Sequence, residues 1–204
     1  MNLPNALTLT RIFLVPLLVV VLLTKFEGRV ILGIPKELVG AAIFGVASLT
    51  DWLDGYLARR RKQVTTLGQV IDPLADKLLT LAAFVSLVQM DLAPAWMVAV
   101  ILGREFAVTG LRSLAYARGV SMPASKLGKV KMVAQVVAIL ALILGHGGRS
   151  FQQPLLWLGQ AAMWVAVLTA LVSAADYFRR FNSVLGELVI ELTSSRESRG
   201  RKAG

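Results

Sequence analysis

Apolar residues run along this chain in long stretches, not in the short alternations of half-buried strands. Six of these stretches reach the roughly 20 mainly apolar residues that a helix needs to cross a bilayer. They cover 7–24, 38–58, 71–90, 95–117, 128–147 and 155–178. Charge intrudes on two of them: the second ends in SLTDWLDGYLARRR and the third begins with GQVIDPLADKLL. Apolar residues continue at helical spacing on the remaining faces of both, so the helices are extended through the charged positions. The pattern predicts an all-α, polytopic membrane protein, a six-transmembrane-helix bundle forming a single domain over 1–181. The residues after it, 182–204, mix Ser, Arg, Glu and Gly. They are read as a basic tail, a surface amphipathic piece followed by a frayed end.

Composition sharpens this picture. The 204 residues are 56% hydrophobic and 17% charged, whereas soluble domains carry about 25% charged residues. Such hydrophobicity also excludes disorder. The chain has no cysteine, which removes disulfides, thiolate zinc sites, iron–sulfur clusters and cysteine nucleophiles together. A net charge of +10 on so apolar a chain points to anionic lipid headgroups in a bilayer and not to nucleic acid. The distribution of that charge sets orientation. Arg59, Arg60, Arg61 and Lys62 follow the second stretch, Arg118, Lys126, Lys129 and Lys131 flank the turn between the fourth and fifth, and Arg179, Arg180, Arg196, Arg199, Arg201 and Lys202 fill the end. The opposite side shows Lys25, Arg29, Lys36 and Arg149. By the positive-inside rule both termini are cytoplasmic, which six spans satisfy. The apolar run IFLVPLLVVVLL resembles a signal peptide, but its prefix is polar and no A-x-A-like site follows, so it is read as a retained span.

The acidic residues are placed unusually. Of 12 in the chain, Asp51, Asp54, Asp72, Asp76, Glu105 and Asp176 sit inside or at the ends of predicted spans, where a charge costs roughly 2.5 to 3.5 kcal/mol. On helices, Asp51 and Asp54 lie about 60° apart with Gly55 and Ala58 on their stripe, and Asp72 and Asp76 about 40° apart with Gly68 one turn earlier. Two antiparallel neighbours would face these edges toward each other near the cytoplasmic boundary. Four carboxylates held together need cations between them, and all-oxygen ligation selects Mg²⁺ or Mn²⁺ over zinc. The small residues leave room for a bulky anion, and the Arg59 guanidinium suits phosphate oxygens. Simple helix-end capping, or pairing with Arg59 to Lys62, would explain one aspartate but gives no reason for four in facing registers with aligned glycines.

The run Asp51-x2-Asp54-Gly55-x2-Ala58-Arg59-x8-Gly68-x3-Asp72-x3-Asp76 resembles, without departure, the signature of the CDP-alcohol phosphatidyltransferases. The resemblance implies a six-helix membrane domain over 1–181, usually paired as a homodimer, that binds a CDP-activated lipid such as CDP-diacylglycerol through its diphosphate on two Mg²⁺ or Mn²⁺ ions. An alcohol then attacks the lipid-side phosphorus and CMP leaves. Carried over by position, Asp51, Asp54 and Asp72 would ligate metal, and Asp76 would ligate metal and act as the catalytic base. Gly55, Ala58, Arg59 and Gly68, with Asn5 and Thr8 near the start of the chain, would bind the CDP-lipid. For Asn5, Thr8 and Arg11 the plainer alternative is a helix cap and a headgroup anchor.

Three further stretches, NLPNALTLTR, GREFAVTGLRSLAYARG and SKLGKVKMVAQ, resemble the branch of that family whose acceptor is glycerol 3-phosphate. The likeness extends to about residue 140, with Met132 standing where many relatives carry Thr. It implies anionic phospholipid synthesis at the inner membrane with the site facing the cytoplasm. A small dianion needs several cationic donors, and Arg104, Arg112, Lys126, Lys129 and Lys131 cluster in sequence on the cytoplasmic halves of the fourth and fifth spans. Arg112 is the first choice for the acceptor phosphate. The competing explanations are an Arg104–Glu105 pair inside the bundle and lysines that only set topology. Trp96, Trp157 and Trp164 read as interface anchors and His146 as a far-side loop residue. Serine, inositol phosphate or phosphatidylglycerol are alternative acceptors for the same chemistry. Outside the class, an ion transporter would place its acids deeper and on broken helices in related halves.

Overall fold

The computed structural model describes residues 3–24, 30–31, 33–61, 66–117, 126–147 and 153–202, with side chains described for a subset of these. The chain is mostly helical. Its elements are α1 (Leu3–Leu23), a two-stranded hairpin of β1 (Val30–Ile31) and β2 (Ile34–Pro35), α2 (Lys36–Arg61), α3 (Thr66–Gln89), α4 (Ala95–Ala117), α5 (Lys126–Gly145) and α6 (Gln153–Lys202). Each predicted stretch coincides with one helix. Extension through the charged segments holds: α2 continues to Arg61 and α3 begins at Thr66, so all four signature aspartates stand on helices.

Packing follows the apolar stripes. The pair α5 and α6 shares the longest face, α1 lies against α3 and α2, and α4 lies against α6. Leu18, Phe44, Leu79, Phe84, Leu87, Ile101, Ile139, Leu142 and Met163 fill the common core. The outer faces are also apolar: Phe13 on α1 is 74% exposed and Trp157 on α6 71%, and Val46, Val85, Phe106 and Val133 are more than half exposed on the helices between. A belt of this extent would be anomalous in water and is what a lipid-facing surface requires. Among the described residues, Gly128–Gly145 and Gln153–Arg179 are long and apolar enough to cross a membrane, and Leu9–Leu23 and Lys77–Gln89 are shorter apolar segments.

The structure adds to the sequence reading at some points and corrects it at others. Between α1 and α2 the chain forms a hairpin with Val30 opposite Pro35 and Ile31 opposite Ile34; Gly33, at φ +80°, supplies the left-handed turn position that other residues resist. As far as 182–204 is described it continues the sixth helix: α6 runs unbroken to Lys202 over 50 residues, a length of about 75 Å. Lys36, at the start of α2, is buried, its Nζ donating to Leu22 O at 3.1 Å and Thr24 O at 3.3 Å. That places a cation on the carbonyl end of α1, where the helix dipole favours it. Arg11 is 2% exposed within α1, so it is no headgroup anchor. Asn5 and Thr8 likewise fall inside α1, which begins at Leu3, rather than at its cap.

The reversal between α3 and α4 is closed by Asp91 at φ 58°. Leu92 N donates to Leu87 O at 2.9 Å and Asp91 N to Val88 O at 3.1 Å, the paired bonds of a Schellman cap. Asp tolerates this conformation better than most residues with a side chain. The cap turns the chain so that α4 returns toward the end where α3 began.

Candidate active site

At the end of the bundle where α3 and α5 begin, a cavity of about 540 Å³ opens between the helices. Every helix from α2 onward contributes to its wall: Ser48 from α2, Lys77 and Thr80 from α3, Arg104, Glu105, Thr109 and Arg112 from α4, Lys129, Lys131 and Gln135 from α5, and Tyr177 from α6. Among the described lining residues, Lys77, Arg104, Arg112, Lys129 and Lys131 face one carboxylate, Glu105. The described part of its wall is therefore electropositive and suited to an anion.

Each cation is held differently. Lys131 pairs with Glu105 Oε1, and Gln135 Nε2 reaches the same oxygen at 3.4 Å. Lys131 and Gln135 are one turn apart on α5, so a single helix face presents both donors. Lys77 Nζ donates to Thr109 Oγ1, whose hydroxyl donates in turn to Glu105 O at 2.8 Å. Arg104 Nη2 donates to Ser173 Oγ and Arg112 Nη2 to the Tyr177 hydroxyl. Both guanidiniums lie over the Tyr177 ring, with Cζ 5.9 Å from its centroid for Arg104 and 5.2 Å for Arg112. Arg104 Nε and Arg112 Nε are buried without a hydrogen-bond partner. Buried guanidinium donors of this kind are costly unless something accepts from them.

Of the residues expected to hold the acceptor phosphate, the structure brings Arg104, Arg112, Lys129 and Lys131 to one cavity. Lys126 is the first residue of α5, and its side chain lies outside those described. The alternative Arg104–Glu105 pair is not the arrangement found: Glu105 takes Lys131 across the helix interface, and Arg104 turns to α6. Lys131, buried, is not a mere topology charge. Met132 lines the cavity.

The side chains of Asp51, Asp54, Gly55, Ala58, Arg59, Gly68, Asp72 and Asp76, and those of Asn5 and Thr8, lie outside the ones described. Their helix positions adjoin the cavity. Ser48 stands one turn before Asp51 on α2, and Thr80 one turn after Asp76 on α3.

Sequence reasoning missed Lys77, Thr109, Ser173 and Tyr177. Lys77 was masked by its position beside Asp76. Ser173 and Tyr177 are polar residues one turn apart within an otherwise apolar span, a spacing that marks one helix face and was the available signal.

Comparison with known proteins bears directly on this site. A family model described as CDP-alcohol phosphatidyltransferase matches residues 1–172. A Bacillus subtilis (strain 168) protein named "CDP-diacylglycerol--glycerol-3-phosphate 3-phosphatidyltransferase" is 48% identical over 184 residues, covering 88% of this chain and 94% of its own. A protein of the same name from Rickettsia felis is 37% identical, covering 87% of this chain and 94% of its own. A Mycobacterium tuberculosis (strain ATCC 25618 / H37Rv) protein named "Probable phosphatidylglycerophosphate synthase" is 38% identical, with 88% and 81% covered. A match that takes in both signature helices and runs on through α5 into α6 exceeds what a shared motif could produce, and the chain belongs to the CDP-alcohol phosphatidyltransferase family.

Proposed function

We propose that this protein transfers the phosphatidyl group of CDP-diacylglycerol to glycerol 3-phosphate, giving phosphatidylglycerophosphate and CMP. It would do so as one six-span domain over 1–181 in the inner membrane, with both termini and the site on the cytoplasmic side. The observation that carries the reading is the cavity that adjoins the signature positions on α2 and α3, with five basic side chains in its described wall. Relatives at 48% and 37% identity that bear this activity in their names support the choice of acceptor.

In this reading Asp51, Asp54, Asp72 and Asp76 hold two divalent cations. The donor set fits them, since four carboxylates on two successive helices supply hard oxygen ligands and charge for Mg²⁺ or Mn²⁺. Such ions neutralise a diphosphate and polarise the attacked phosphorus. Gly55, Ala58 and Gly68 leave space for the nucleotide, and Arg59, Asn5 and Thr8 bind it. Arg112 and Arg104, with Lys129, Lys131 and Lys126, bind the acceptor phosphate and set its hydroxyl toward the lipid-side phosphorus. As that oxygen bonds to phosphorus, the bond to CMP breaks and Asp76 takes the hydroxyl proton. The chain has no cysteine, and its one histidine, His146, lies in the turn after α5, at the opposite end of that helix from the cavity. Direct displacement is accordingly favoured over a covalent phosphatidyl-enzyme.

The test offers purified protein in detergent radiolabelled CDP-diacylglycerol with glycerol 3-phosphate, serine, inositol phosphate or phosphatidylglycerol in turn, and identifies the lipid formed. Phosphatidylglycerophosphate should appear with glycerol 3-phosphate only, vanish in excess chelator and return with Mg²⁺ or Mn²⁺. A product from another acceptor, or full turnover under chelation, would overturn the reading.

A further inference from the structure

The arginines of α4 do not keep their places unaided. Arg104 and Arg112 are two turns apart on one helix, and two like charges on long side chains repel and wander unless something fixes them. What fixes them is α6. Ser173 and Tyr177 are one turn apart on that helix and both are buried, at 0% and 3% exposure. Ser173 Oγ accepts from Arg104 and the Tyr177 hydroxyl accepts from Arg112, while the face of the Tyr177 ring is shared by both guanidiniums. Each arginine thus spends one terminal nitrogen on α6 and retains a buried Nε with no acceptor.

We propose that Ser173 and Tyr177 are positioning residues that set the spacing and aim of Arg104 and Arg112, and thereby the enzyme's demand for a phosphorylated acceptor. The inference rests on the acceptor reading above but is separable from it. Both positions lie beyond residue 172, where the family-model match ends. A ring face attracts a guanidinium without bringing an opposite charge, so less of the arginines' field is cancelled before it reaches an anion than with a carboxylate as the anchor. A hydroxyl that accepts one N–H orients the plane and leaves the other donors available.

The experiment measures steady-state kinetics of the full-length protein in detergent with Mg²⁺, varying each substrate. Tyr177→Phe removes one hydroxyl and keeps the ring, and should raise KM for glycerol 3-phosphate about tenfold. Tyr177→Leu also removes the ring and should raise it further. Ser173→Ala should raise the same constant, and Ser173→Thr, which keeps the hydroxyl, should restore it to within about threefold of the unaltered protein. KM for CDP-diacylglycerol should stay within about twofold throughout, and kcat at saturating acceptor should change little. A purely structural role would instead move both KM values and kcat together, and that outcome overturns the proposal. So does an unchanged acceptor KM in Tyr177→Phe, a variant mild enough to fold even if Tyr177→Leu does not. Failure of the underlying acceptor reading has a different sign: the unaltered protein would release no CMP in response to glycerol 3-phosphate.

Discussion

Lys131 is buried, in a cavity it shares with Arg104, Arg112 and Lys129, and it forms an ion pair with Glu105. Loss of one member of a buried pair removes that counterion from the charge that remains. Glu105 is the better solvated of the two, its side chain 21% exposed against 6% for Lys131, and it also receives Gln135. Glu105→Leu and Lys131→Met should each destabilise the protein by about 1 to 3 kcal/mol, and the double variant by less than the sum of the two. Denaturant unfolding in detergent gives the cycle; additive losses would show that the pair contributes nothing. At this scale the sequence revealed residue type and neighbourhood but not pairing. It offered Arg104 as the partner of Glu105, its chain neighbour, whereas residues adjacent on a helix point about 100° apart and the partner came from α5.

Helix pairing shows the same division one level up. The α5–α6 contact is made close by glycines that no motif singled out. A Cβ on Gly159 would stand 2.7 Å from Leu142 Cγ and 3.1 Å from Leu142 N, and one on Gly145 would stand 2.7 Å from Leu156 Cδ2 and 3.0 Å from Leu156 N. A side chain can rotate away, but a backbone nitrogen cannot, so Gly159→Ala must push the helices apart. It should cost about 1 to 3 kcal/mol, read as a lowered thermal midpoint in detergent. Gly103→Ala is the control: nothing lies within 4 Å of its new Cβ, and helix propensity should leave it neutral or up to about 1 kcal/mol more stable. Equal losses in both would refute the close-packing account. The six helices were legible because long apolar stretches have few alternatives to helix in a bilayer. The Val30–Pro35 hairpin and the unbroken course of α6 were not: the first is two residues per strand, and the second continues through polar residues that periodicity assigns to no face.

For the whole molecule, the charge asymmetry and the exposed apolar belt bear on one question, which end faces the cytoplasm. The absence of cysteine makes single-cysteine labelling clean. With both termini inside, Ala95→Cys, at the start of α4, should react with a membrane-impermeant maleimide applied to spheroplasts, and Ala203→Cys should react only after permeabilisation. The reverse pattern would invert the topology and put the cavity on the wrong side for a cytoplasmic nucleotide-activated lipid. Sequence by itself determined the class of fold, the signature and the chemistry it implies, because hydrophobic length, charge placement and the one-turn spacing of Asp51, Asp54, Asp72 and Asp76 are local properties of a helix. It also ranked Arg112 as an acceptor contact, since a cation inside a span needs a reason to be there. Only the tertiary structure decided what surrounds that arginine. Which helices meet, and at which turn, depends on how the sum of side-chain volumes packs; thus the joining of Lys77 from α3, Glu105 from α4, Lys131 from α5 and Tyr177 from α6 around one cavity is written in no single segment of the chain.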